Sequence, residues 1–284
     1  MKAFISLFQS GAWFLPLIAL LAAASSLAKA ETADQGQPVN ALTAVSAESL
    51  LVLRDGALIS VGTGAPETIT LPALEADARP STLVTGADGK IYLGGPGVGV
   101  WVYDSVNRSW QSLNDTLPDL QVSEIAAHTT QPETLYAYMP EKGMFRSKDG
   151  GAKWVRVDDG PQEPVQAFLH SNMAGSMESG WLFAGTTRGV ARSMDCFCFW
   201  GDAGDLRGTV TAITFDPAQP ENVYVVIDGA IHHSDDGGEA WKPRKAPEAV
   251  SALTFSPGKG LIAGTASGRV LAANAAGDWA PLYE

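Results

Sequence analysis

Cysteine is all but absent from this chain: Cys196 and Cys198 are the only two among 284 residues. So few cannot build a disulfide framework, and the fold must hold itself by packing. Histidine is equally sparse. His128, His170, His232 and His233 do not form H-E-x-x-H or any comparable ligand spacing. Basic residues are the minority, 19 against 31 acidic, giving a formal net charge of −12. Such a surface repels nucleic acid and anionic lipid and favours neutral or cationic partners. Phosphate loops, dinucleotide fingerprints, G-x-S-x-G elbows and EF-hand patterns are also missing. After residue 38 there is no stretch of helical period.

The one long apolar run lies at the start. Lys2 precedes the apolar stretch Trp13–Ala24, and Ala28-Lys29-Ala30 is an A-x-A site before Glu31. This reads as a signal peptide over residues 1–30, either cleaved or retained as an N-terminal membrane anchor. Residues 31–38 are a linker, and an exported product, periplasmic or extracellular, is expected. With Lys2 and Lys29 in the signal, the mature chain is more acidic still.

What is present is repetition. Ser147-Lys148-Asp149-Gly150-Gly151-Ala152-Lys153-Trp154 returns as Ser234-Asp235-Asp236-Gly237-Gly238-Glu239-Ala240-Trp241. This S-x-D-x-G-x-x-W pattern is called the box below. Its first position falls on Ser60, Tyr103, Ser147, Ser193, Ser234 and Ala272, and a tryptophan follows seven residues later in five of six units: Trp110, Trp154, Trp200, Trp241 and Trp279. Each unit opens with a short strand of the form V-x-A-[LIF], weaker at Pro80–Leu83, and a second strand follows. A glycine at 56, 99, 143, 189, 229 or 268 then marks a reversal into the third strand. Units of roughly 42 residues with four strands each predict an all-β, six-bladed β-propeller over residues 39–284. Seven blades would follow if two units had been merged. The chain begins on a first strand and ends on a fourth, so the ring must close by packing between the first and last blades or by pairing of the segment 35–39.

Within the box, Ser147, Asp149, Ser234 and Asp236 can accept backbone N–H groups of their own turn, while Gly151 and Gly238 supply a left-handed conformation. Trp154, Trp200 and Trp241 lead the fourth strands back and bury apolar surface between units. Ser193, Asp195 and Trp200 form a degenerate box with Phe197 in the glycine position, so a different turn is expected there.

At these residues the chain resembles the Asp-box (BNR) repeat propellers: sialidases, sortilin-type receptor domains, large xyloglucanases and photosystem II assembly-factor propellers. The resemblance implies a structural box at the blade periphery, on the face opposite the usual binding site. A sialidase would carry an R-I-P motif and three arginines on the substrate carboxylate. The nearest fragment here, Asp77-Ala78-Arg79-Pro80, lacks the central residue. Arg54, Arg188 and Arg269 fall beside the turn glycines in loops that share one face, either as a carboxylate clamp or as solvated charges. The second residue of each opening strand is neutral and polar: Asn40, Ser81, Ser123, Gln166, Thr211 and Ser251. These should ring the channel mouth on that same face and suit water, a sugar hydroxyl or a peptide backbone. His232 and His233 are expected to be exposed strand residues. The insertion 170–180, with Met173 and Met177, should reach the box face as an adaptable contact. Cys196 and Cys198 would form a small disulfide in an oxidising compartment, the alternatives being two buried thiols or a redox or copper role.

The expected function is therefore a non-catalytic, exported protein-binding scaffold or assembly factor, without catalytic residues, metal or cofactor. The alternative is a carbohydrate-binding or sialidase-like protein. Protein partners are expected, carbohydrate is the second candidate, and a membrane is reached only through the N-terminal segment or a partner.

Overall fold

The computed structural model describes residues 36–284 with the exception of residue 275. The signal or anchor and most of the linker lie outside the described residues. Six four-stranded antiparallel sheets follow in chain order, covering residues 39–69, 82–112, 124–158, 165–202, 210–244 and 250–283. Each is a simple meander, blade 1 to blade 6, and the described residues contain no helix. The first strand of every blade neighbours the first strands of both adjacent blades, so these six form the inner ring of a propeller. Six blades, not seven, is the count.

The core is divided rather than central. Six apolar clusters occur, one between each pair of neighbouring blades. Second strands pack on both faces, which is why they read as continuous apolar runs: Ile91–Gly95 and Leu135–Met139 are buried at every position. The sixth junction resolves the closure. Among the described residues no strand is exchanged between the first and last blades. Instead Val39, Leu42, Leu50 and Val52 of blade 1 pack against Ala252, Ile262 and Val270 of blade 6. The Ser251 hydroxyl donates to the Val39 carbonyl at 2.8 Å, and Arg54 donates to the Gly268 carbonyl at 2.9 Å.

The box tryptophans staple each blade to the one before it. Trp110, Trp154, Trp241 and Trp279 donate their indole N–H to the carbonyls of Thr70, Leu113, Ala203 and Lys245, each at 2.9 Å. Trp200 departs, donating to the Asp158 carboxylate at 2.8 Å. An apolar body with one polar edge suits this position, because the indole fills the junction and satisfies a carbonyl beyond the end of a strand.

Candidate functional site

In blades 3 and 5 the box is a closed hydrogen-bonded turn. The Ser147 hydroxyl donates to Asp149 at 2.7 Å and accepts the Gly151 N–H at 2.8 Å, while Asp149 accepts the Lys153 N–H at 2.9 Å. Ser234, Asp236 and Gly238 repeat the arrangement, with Asp236 accepting the N–H groups of Glu239 and Ala240 at 3.0 Å. Hydrogen bonds from Ser147 and Lys153 hold the Asp149 carboxyl below the usual carboxylate range, and those from Ala240 and Ser234 do the same for Asp236. These residues cap their own turns.

Blade 4 is built differently. Cys196 and Phe197 stand where the boxes of blades 3 and 5 have two glycines, and Phe197 keeps the left-handed conformation with φ of 58°. Cys196 and Cys198 are joined in a disulfide. The Ser193 hydroxyl donates to the Met194 carbonyl rather than to an aspartate. Asp195 is thereby released from the structural role expected of it. Its carboxylate is 2% exposed and accepts the backbone N–H and hydroxyl of Ser179.

Two histidines converge on that carboxylate. His128, at the end of the inner strand of blade 3, and His170, from the inner strand of blade 4, stack with ring centroids 3.8 Å apart. Each places Nε2 3.7 Å from an Asp195 oxygen, and neither ring has exposed surface. His128 Nδ1 accepts the N–H groups of Thr130 and Gln131 at 3.2 and 3.1 Å, and His170 Nδ1 accepts that of Thr129 at 3.2 Å. A ring nitrogen facing N–H donors is the unprotonated one, so both neutral imidazoles carry their proton on Nε2. Ser179 bridges His128 to Asp195, while His170 Nε2 makes no hydrogen bond.

The three side chains lie within metal-ligating reach of one another. Ligation by both Nε2 atoms would push their protons to Nδ1, against backbone donors. The donor set does not fit an ion. Burial pushes both histidines below their ordinary range, His170 the further because His128 repels its charge. Burial raises the Asp195 carboxyl, yet the Ser179 hydrogen bonds outweigh it and leave the group low. At neutral pH this is a buried carboxylate held by neutral dipoles, and it locks blade 3 to blade 4. No spacing in the chain announces it; the one available signal was a box aspartate without its glycines.

The bore of the ring opens at both ends. On the box face lies a cavity of about 470 Å³ whose wall includes Ala44, Thr85, Ala127, Leu169, Phe215 and Phe255. On the opposite face a cavity of about 270 Å³ is lined by Asn40, Ser81, Gln166, Thr211 and Ser251. The larger opening is thus on the box face, whereas the sequence pointed to the opposite one. The polar ring has a local cause. Asn40, Gln166, Thr211 and Ser251 are the bulged residues where the inner strand slips register against the second strand. Ser123 is not on this wall, and Glu124 takes its place.

The three arginines do not gather at one point. Arg54 and Arg269 belong to the junction of blades 1 and 6, where Arg54 lies over the Tyr283 ring at 5.3 Å and Arg269 pairs with Glu248 at 2.9 Å. Arg188, on blade 4, is 3.7 Å from Glu163 and 3.8 Å from Asp202. His232 and His233 are half-buried rather than exposed, because His233 stacks on Tyr224 at 4.5 Å and bonds Asn222. Of the two methionines in the insertion, Met173 is core and only Met177 is exposed.

No protein-family model and no curated relative matches the chain by sequence. Solved structures do match in fold. One is "YCF48 bound to D1 peptide", with a TM-score of 0.56 at 14% identity, covering 83% of this chain and 93% of that one. Another is "Structure of U3-55K", with a TM-score of 0.61 at 13% identity, covering 83% and 77%. Both are β-propellers, and at these identities the likeness is one of architecture.

Proposed function

We propose that this protein is an exported, non-catalytic propeller of the Asp-box type that binds a protein partner and assists assembly of a complex outside the cytoplasm. The bore carries the reading. It offers an apolar mouth on one face and, on the other, a polar mouth that carries one carboxyl, a lining suited to a polypeptide segment. The similarity to YCF48, a propeller solved with a bound peptide, supports it. The His128–His170–Asp195 group is buried and joins blade 3 to blade 4, which supports a structural role for it. The test is native co-purification of the tagged full chain from the envelope fraction, compared with Phe215→Ser/Phe255→Ser. A defined protein retained by the wild type and lost with the altered mouth is the expected result. Retention of none, with specific binding on a glycan array, would overturn the proposal.

One observation favours the carbohydrate reading. An outer groove of about 540 Å³ between blades 3 and 4 is lined by Phe199, Trp200, Asp158, Asp202, Arg188 and Arg207. Phe199 is 77% exposed, and an open aromatic beside carboxylates and guanidinium groups suits a sugar ring. Glycan binding abolished by Phe199→Ala would move the function to this groove.

A further inference from the structure

Glu124 breaks the symmetry of the bore. At its position on the inner strand, blades 1, 4, 5 and 6 carry Ala41, Ala167, Ala212 and Ala252, and blade 2 carries Thr82. Alanine therefore suffices to build the ring, and the carboxyl is not required by the fold. Glu124 is the one ionisable side chain on the wall of the 270 Å³ mouth among the described residues. It is half-buried, with Ile125 and Ala126 buried behind it. The Thr82 hydroxyl is the polar group beside it, and no basic side chain faces it among the described residues. Burial accordingly holds the carboxyl well above the usual carboxylate range, and the neighbouring Thr82 hydroxyl pulls it only partway back.

A lone acid placed in a low-dielectric bore is costly, and a cation entering the mouth would recover that cost as attraction. Around it stand further acceptors. The Gln166 amide nitrogen is turned to its own strand, donating to the Val165 carbonyl at 3.3 Å, which leaves its oxygen available. The Thr211 hydroxyl also lines the wall. A planar guanidinium would want both carboxylate oxygens at once, in a matching fork. An ammonium needs only separate acceptors around a point charge. The acidic surface steers cations toward the protein in general, and the bore gives one of them a specific end point.

We propose that this mouth is a binding site for the ammonium group of a lysine side chain presented by a protein partner, with Glu124 as its counter-ion and Gln166 and Thr211 as further acceptors. The inference rests on the protein-binding reading above. Its test uses Nα-acetyl-lysine N-methylamide as the probe and the neutral norleucine analogue as control. The readouts are the side-chain carboxyl of Glu124 and the side-chain amide of Gln166 by NMR. A saturable shift with the lysine probe is expected, with the Glu124 carboxyl titrating lower once the cation is bound. Affinity should fall at least about tenfold in Glu124→Gln and Glu124→Ala. The alanine variant carries the residue four other blades already use, so loss of folding does not cloud the result. Equal binding of the norleucine analogue, unchanged affinity in both variants, or no saturation at millimolar probe would each overturn the site. Partner capture that survives Glu124→Ala would overturn the site but leave the scaffold reading standing. Saturable lysine binding by a chain that captures no protein would support the site and sink the scaffold reading.

Discussion

The turns between third and fourth strands in blades 3 and 4 share one left-handed position and fill it by different chemistry. In blade 3, two glycines take the left-handed positions, with φ of 71° and 92°, and serine and aspartate satisfy the turn locally. In blade 4 a phenylalanine holds the second of those positions, clamped between two bonded cysteines. Bulky residues rarely adopt that conformation, so the surroundings must hold it. Phe197 is packed into the junction of blades 3 and 4, and Arg146 lies over its ring at 5.9 Å. The consequence is more than a substitute turn. An aspartate no longer needed as a cap becomes the acceptor at the centre of an inter-blade lock.

The comparison can be broken at its centre. Asp195→Ala removes the acceptor for Ser179 and the carboxylate that faces the buried Nε2–H of His170, a loss of about 2–4 kcal/mol. Asp149→Ala removes only turn hydrogen bonds at the surface and should cost about 1 kcal/mol. Denaturant unfolding of both variants decides the matter, and equal losses would mean that Asp195 is an ordinary box residue.

Acid provides the next test. Both histidines have folded pKa values pushed below the unfolded value near 6.5, so the unfolded chain binds more protons as pH falls through that value. Their contribution is therefore complete above about pH 6.5 and lost below it, by up to about 1.4 kcal/mol per pH unit for each ring. Protonation would also set Nδ1–H against the N–H groups of Thr129, Thr130 and Gln131. Melting temperature measured from pH 7.5 to 5 should fall, and His170→Phe should flatten the curve. A curve unchanged by that substitution would show that the lock does not titrate.

The smallest effect concerns the clamp. Cys196→Ser/Cys198→Ser opens a loop with one intervening residue, and chain entropy assigns such a closure about 1–2 kcal/mol. Calorimetry of the pair should show a modest loss with the box turns of blades 3 and 5 unaffected. A variant as stable as the parent would mean that Phe197 is held by packing alone.

Part of the site was written in the chain and overlooked for a reason. Glu124 occupies the alanine of the V-x-A-[LIF] strand signature, so a ring position was readable from Val122-Ser123-Glu124-Ile125. Its isolation was not, because that depends on what five other blades present to the same bore. The arginines show the reverse case. Arg54, Arg188 and Arg269 do occupy equivalent turns, but Arg188 lies on blade 4 and the other two at the junction of blades 1 and 6, and local partners engage each one.

The sequence by itself determined the number of blades, the order of strands within them and the turns that punctuate them. These depend on contacts within some 40 residues, and a repeated local pattern states them directly. Only the tertiary structure decided that a terminal strand need not be shared, that His128 and His170 meet Asp195, and that one carboxyl faces an otherwise neutral bore. Each of those depends on residues from different blades, whose juxtaposition follows from closure of the ring rather than from any spacing along the chain.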